Sequence, residues 1–146
     1  MKQQFLYFFQ DVRRMLGKNK YRILFIWLSR SFAGVFLYRT ERGFFLTFGN
    51  FYTVIRILFL PIINLIQAYS NLDIHYKADI KGGLSVLHPS MGIVISGKSI
   101  IGNNLTLTGG NVIGINKKTE KGSFVIGNNC ELGANAVVLG PIILGD

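Results

Sequence analysis

The chain has 146 residues, with 16 Lys/Arg against 7 Asp/Glu, a formal net charge of +9, and 49% hydrophobic residues. That length allows one modest domain or two small ones, and a single cysteine excludes a disulfide framework within the chain. Cys130, inside IGNNCE at a small-residue position, reads as a packing residue in a reduced, cytoplasmic compartment.

The excess charge is uneven. Residues 1 to 72 carry ten Lys/Arg and two acids, a balance of +8, whereas residues 73 to 146 carry six and five. Seventeen of the 19 aromatic residues also fall in the first part. The composition therefore changes near Asn71 and divides the chain into a basic, aromatic segment, 1–72, and a second domain, 73–146.

The start, MKQQFLYFFQD, breaks its apolar run with charge and offers no small-residue cleavage site, so no secretory leader is expected and the mature protein is expected to begin here. From Tyr21 to Tyr69 the sequence reads as mostly helical. Arg22, Arg30, Arg39, Arg42 and Arg56 interrupt its apolar runs. The longest uncharged run, Ile57 to Leu72, has 16 residues and contains Pro61, short of the 18 or more that a spanning helix needs. Two roles stand side by side for this segment. It can cap the open end of the domain that follows, or it can lie on the inner face of a membrane as a peripheral pad, with aromatics in the interface and Arg30, Arg39, Arg42 and Arg56 at the water boundary. Basic residues interleaved with aromatics can also track nucleic acid. Here the apolar content is too high and the cations too dispersed, so no nucleic-acid partner is expected.

From residue 73 onward aliphatic residues recur every six positions. Ile74, Ile80 and Val86 form one register; after three extra residues come Ile95, Ile101, Leu107 and Ile113; beyond a loop come Ile126, Leu132, Val138 and Leu144. A period of six fits neither an α-helix nor one flat strand. It fits a mainly β, parallel solenoid in which each flat face takes six residues and each in-phase aliphatic points inward. The corners need positive φ, which Gly and Asn tolerate, and IGNN at 101–104, IGNN at 126–129 and LGAN at 132–135 supply them. An ordinary β-sandwich would show strict alternation and wider turn spacing instead.

The segment DIH at 73–75, then LHPSMGIVISG, then IGNNLT, IGNNCE and LGANAV resemble the hexapeptide-repeat acyltransferases, most closely the serine acetyltransferase group, over about half the chain. The resemblance implies a left-handed β-helix, although general rules favour right-handed crossovers, and a homotrimer with active sites between subunits. It implies His88 as general base and Asp73, fifteen residues earlier, as the group that orients it. Neutral imidazole suits removal of a hydroxyl proton near neutral pH, and a carboxylate partner fixes its tautomer. His88 also lies where three extra residues break the hexad phase, the kind of irregularity at which function tends to be placed. For the donor, acetyl-CoA, the resemblance points to Gly114 and Ala134, small residues that leave room for the pantetheine arm. The inserted loop 115–124 carries Lys117, Lys118 and Lys121, which could meet an acidic substrate or coenzyme A phosphates.

Two departures bear on the acceptor. The resembled family has Asp immediately before the catalytic His in LDHATGIVIG, where this chain has Leu87, and a second His in the loop, near Ser123 here. Without those partners for a zwitterion, the expected acceptor is the hydroxyl of a sugar in cell-surface polysaccharide synthesis, with serine O-acetylation and a non-catalytic scaffold as alternatives. The metal-dependent carbonic anhydrase of the same fold needs three His ligands. This chain has only His75 and His88, so no metal is expected. The sequence stops at LGD, part way through a hexapeptide, and a truncated chain lacking part of the donor site is therefore an expectation too.

Overall fold

The computed structural model describes residues 1–115 and 124–146. Lys117, Lys118, Lys121 and Ser123 lie outside the described residues. Three helices come first: α1 (Lys2–Leu16), α2 (Arg30–Phe48) and α3 (Phe51–Ser70), with two 3-10 turns, Lys20–Leu24 and Ile26–Leu28, between α1 and α2. Ser29 caps α2, its Oγ accepting from the Phe32 N–H at 3.1 Å. Asn71, at φ 59°, ends α3 in the left-handed conformation and turns the chain into the first strand.

Eleven short strands follow among the described residues: β1 (Leu72–Ile74), β2 (Asp79–Ile80), β3 (Ser85–Val86), β4 (Ile93–Ile95), β5 (Ile100–Ile101), β6 (Thr106–Leu107), β7 (Asn111–Ile115), β8 (Phe124–Ile126), β9 (Glu131–Leu132), β10 (Val137–Gly140) and β11 (Ile142–Leu144). They form three parallel sheets, ordered β1-β4-β7-β10, β2-β5-β8-β11 and β3-β6-β9, the three walls of a prism. Register puts all eleven in-phase aliphatics into three vertical columns. Ile74, Ile95, Ile113 and Val138 stack in the first sheet, Ile80, Ile101, Ile126 and Leu144 in the second, and Val86, Leu107 and Leu132 in the third. The expected corners are also present. Positive φ falls on Asn104, Asn129 and Asn135, the last residue of each Gly/Asn segment. Cys130 packs against the core, as expected of a small apolar side chain.

The helices sit on the first coil, and the two compositional parts share one core that runs from Met15, Ile26, Val35 and Tyr38 into Leu72, Ile74, Ile80 and Leu84. The first coil of a parallel solenoid has N–H and C=O groups with no preceding strand to pair them, and buried unpaired groups are costly. Side chains from α1 and α2 fill that need. The Tyr38 hydroxyl donates to the Ala78 carbonyl at 2.9 Å and accepts from the Ile80 N–H at 3.2 Å. Burial pushes its phenol pKa up to about 12, so it remains a donor. Arg39 donates to the Ile80 and Lys81 carbonyls at 2.6 and 2.7 Å, and in the other direction grips both oxygens of Asp11 at 2.8 and 3.2 Å. Asp11 Oδ1 in turn accepts from the Leu84 N–H at 2.7 Å. Ser31 Oγ donates to the Val86 carbonyl, and Arg42 to that of Lys77.

α2 is accordingly inverted. It buries Ser31, Arg39, Glu41 and Arg42 and leaves Phe36, Phe44, Leu46 and Phe48 exposed. Gly34 lets it approach closely, since a Cβ there would come within 2.5 Å of Leu72 Cδ1. This placement corrects one expectation. Arg39 and Arg42 are buried cap residues, and Arg56 is paired with Glu41 at 2.6 Å. Of the four arginines expected at a water boundary, only Arg30 is exposed.

Arg39→Leu should leave the Asp11 carboxyl without its partner in the interior and two carbonyls without donors. We expect a loss of about 3–5 kcal/mol in urea unfolding. Arg39→Lys should recover little of it, because one ammonium cannot reproduce the fork that spans both carbonyls and the carboxylate. A loss below about 1 kcal/mol in Arg39→Leu would contradict this account of the cap.

Candidate active site

The hexad columns locate the irregular residues. Twenty-one residues separate Ile74 from Ile95 but eighteen separate Ile95 from Ile113, and the three extra residues form a 3-10 turn, Pro89–Met91, at the corner between the third and first sheets. His88 heads this turn. Its N–H donates to the Thr108 carbonyl at 2.9 Å and its carbonyl accepts from the Met91 N–H at 3.2 Å, so the backbone is held at both sides of an exposed side chain. The imidazole makes no hydrogen bond to another described residue.

Beneath this turn the next coil must be thin. A Cβ on Gly109, which sits at φ 142°, would meet the His88 carbonyl oxygen at 2.5 Å. Asn111 holds that corner in place. It is fully buried at a position that Leu72 and Ile93 occupy in the coils before it, and its Oδ1 accepts from the Gly109 N–H at 2.9 Å while its Nδ2 donates to the Gly133 carbonyl at 2.7 Å. Asn111 thus ties the corner below His88 to the corner below that. Its signal in the sequence is an Asn where the column two residues ahead of the in-phase set has Leu and Ile.

The other sequence candidates lie close to this edge. Ala134 is exposed on the third coil's copy of the same corner, two rungs below His88, or roughly 10 Å at the usual strand spacing. Asp73 and Gly114 alternate outward on the first sheet, on rungs one and three. A Cβ on Gly114 would lie 3.0 Å from Leu139 Cδ2. Asp73 borders a cleft of about 250 Å³ lined also by Gln67, Asn71, Met91, Val94 and Val112. Its Oδ1 accepts from Gln67 Nε2 at 3.4 Å. Asn71 Nδ2 donates to the Ser90 carbonyl at 2.9 Å and so fastens the start of β1 to the His88 turn. The structure brings Asp73 to the cleft beside that turn; no hydrogen bond links its carboxylate to the His88 imidazole within one chain. The remaining outward positions of this sheet, Val94, Val112, Val137 and Leu139, are apolar.

His75 lies at a different corner. Its ring stacks on Tyr76 at 4.6 Å and lies over Gly97, where a Cβ would come within 2.5 Å of Nδ1. That Nδ1 accepts from the Lys77 N–H at 3.1 Å, which requires a neutral ring protonated on Nε2. No group of three or more His, Cys, Asp or Glu suited to a metal exists among the described residues.

No family model matches the chain. Curated relatives do: the serine acetyltransferases of two strains of Helicobacter pylori are each 31% identical over 131 residues, 89% of this chain and 71% of the relative. In fold, the chain matches the crystal structure of Neisseria gonorrhoeae serine acetyltransferase in complex with serine, at TM-score 0.68 and 18% identity over 93% of this chain and 55% of that one. It also matches that of Entamoeba histolytica serine acetyltransferase 1 in complex with L-cysteine, at TM-score 0.68 and 17% identity over 97% and 60%. The chain thus spans little more than half the length of these two proteins. Hexad columns in three parallel sheets, a helical cap and these likenesses define a left-handed β-helix of the hexapeptide-repeat acyltransferase class. Within that class, identity at this level over most of both sequences places it plainly: the chain belongs to the serine acetyltransferase family.

Partial burial of the His75 ring, then the charges of Lys77 and Arg56, lower its pKa below the usual histidine value. A base with a depressed folded pKa contributes stability above its unfolded pKa that is lost as pH falls through the folded one. The thermal midpoint should therefore fall as pH drops from about 7 to about 5. His75→Asn keeps an acceptor for the Lys77 N–H but does not titrate, so it should flatten that fall; an identical pH profile would refute the assignment.

Proposed function

We propose that the chain is an acetyl-CoA-dependent O-acetyltransferase acting on L-serine, with His88 as the general base. The observation that carries this reading is the His88 turn itself: an exposed imidazole on a backbone fixed by Thr108 and Met91, above a corner kept thin by Gly109 and Asn111. Acetyl-CoA supplies a thioester whose carbonyl carbon accepts the incoming oxygen and whose thiolate departs. The neutral imidazole of His88 takes the acceptor hydroxyl proton as the new C–O bond forms, then returns a proton to the leaving sulfur as the C–S bond breaks. Residues along the edge below fit an extended donor arm. A Cβ at Gly133 would meet nothing within 4 Å, and Ala134 is exposed beside it. Asp73 is the positioning candidate. Because it makes no bond to His88 inside one chain, its role is read in the assembled protein, for which we propose a trimer closing over the first sheet's apolar outer face. Serine as acceptor is supported by the family and by the related gonococcal protein in complex with serine.

A second reading rests on one observation. Leu87, just before the base, is about half exposed and apolar where the resembled family carries Asp, and it offers no partner to an ammonium group. A sugar hydroxyl in a glycan intermediate would need none. Transfer assays against serine and against nucleotide-activated and lipid-linked sugars separate the two.

His88→Ala should lower turnover roughly 100-fold or more with little change in coenzyme A affinity; near-normal turnover would overturn the assignment. Asp73→Asn should alter the pH profile of kcat rather than abolish donor binding. Val94→Lys with Val137→Lys, both on exposed outward positions, should convert a trimeric mass in light scattering to a monomeric one with loss of activity. An active monomer would remove the inter-subunit site.

A further inference from the structure

α3 packs on α2 by one side, through Tyr52, Ile63 and the Arg56–Glu41 ion pair. Its opposite side carries Phe51, Val54, Leu58, Ile62, Leu65 and Tyr69, spaced by three and four residues and all exposed, Leu58 by 80%. The Tyr69 hydroxyl donates to the Leu28 carbonyl at 2.6 Å, and the Arg30 guanidinium lies 6.0 Å from the Tyr69 ring. The stripe is thereby continuous with the 3-10 segment, where Leu24, Phe25, Trp27 and Leu28 are exposed as well. An apolar surface this long on a folded chain marks something that covers it.

Charge decides what that is. The only two acids of residues 1–72, Asp11 and Glu41, are both buried and paired, with Arg39 and with Arg56. Lys2, Arg13, Arg14, Lys18, Arg22 and Arg30 are exposed. The helical part therefore presents apolar side chains and cations to its surroundings and no exposed acid. A second copy of the same face would set like charges against each other, whereas an anionic lipid surface complements both features. By length and composition Arg30–Ser70 could cross a membrane. That would require α3 and α2 to leave the coil they cap, expose Arg39, Glu41, Arg42 and Arg56 to hydrocarbon and take Arg39 from Asp11.

We propose that this face docks on the surface of a bilayer containing anionic lipid, with α3 lying in the plane of the interface and Arg22 and Arg30 at the head groups. The chain provides its own reporter, because Trp27 is its only tryptophan and is 61% exposed within the patch. With vesicles of phosphatidylcholine and phosphatidylglycerol, Trp27 emission should shift to the blue and be quenched by bromine-labelled acyl chains. With phosphatidylcholine alone the shift should be far smaller. Added salt should weaken binding, since screening acts beyond about 10 Å at 0.1 M. Arg22→Glu with Arg30→Glu should reduce vesicle partitioning by about tenfold or more, and Leu58→Glu with Leu65→Glu by a similar factor; all four side chains are exposed, so each variant should unfold at the wild-type urea midpoint. No Trp27 shift with anionic vesicles, or equal binding to both lipid mixtures, overturns the proposal. A lower particle mass for Leu58→Glu with Leu65→Glu, in a protein whose wild type ignores vesicles, assigns the face to a second copy and overturns it as well.

Discussion

The unpaired edge of the first coil is the constraint on which the rest of the structure depends. A parallel solenoid can add coils indefinitely, and each coil satisfies the one before it, but the first has nothing above it. Here the solution is side chains rather than another strand. Arg39 and Tyr38 stand in for the missing backbone, and Asp11 holds Arg39 in position while capping the Leu84 N–H itself. Burial pushes the Asp11 carboxyl above its usual range, against the lowering pull of Arg39 and of its hydrogen bonds. The pair thus works against desolvation, and its value lies in matching donors and acceptors where apolar packing would leave carbonyls orphaned.

That constraint explains why some of the chain was legible in its sequence and some was not. The prism was readable because one rule, an inward aliphatic every six residues, governs every coil, and all eleven in-phase aliphatics take their column positions. The same rule located His88, where the phase slips by three. The helices obey the opposite rule. α2 turns Ser31, Arg39, Glu41 and Arg42 inward because its inner surroundings are unpaired backbone, so a reading that equates arginine with a water boundary misplaces Arg39 and Arg42. Asn111 is illegible in the sequence for a related reason. A buried polar residue is intelligible only once the glycine corner it serves is known. What the resemblance added was chemistry, since no periodicity distinguishes a base from a surface histidine.

Irregularity is concentrated around the first sheet. One departure from the hexad, the Pro89–Met91 turn, precedes β4; the other, the insertion between Ile113 and Ile126, follows β7. Both interrupt the chain at margins of the same wall, whose outward positions are apolar beside Asp73 and Gly114. The third sheet shows the contrast: its outward positions are Ser85, Thr106 and Glu131, and Arg14 reaches from α1 to donate to Thr106. The prism's remaining edge, between the second and third sheets, is likewise regular, with Asn103 and Asn104 bonding Asn128 and Asn129 in the next coil.

A solenoid of identical coils offers identical faces, and a site requires that one of them differ. The cap and the site both supply difference, yet in separate ways. At the cap, the difference is forced by an end that must be closed. At the first sheet, nothing in the backbone pairing demands it: β1, β4 and β7 would pair equally well without the three residues that lift His88 outward, as the eighteen-residue second coil demonstrates. Gly109 and Asn111 are then needed only because the His88 turn presses on the corner below it. A glycine at positive φ and a buried amide both weaken a core that aliphatics would fill more simply, and their cost is intelligible only if the His88 turn is the feature being preserved.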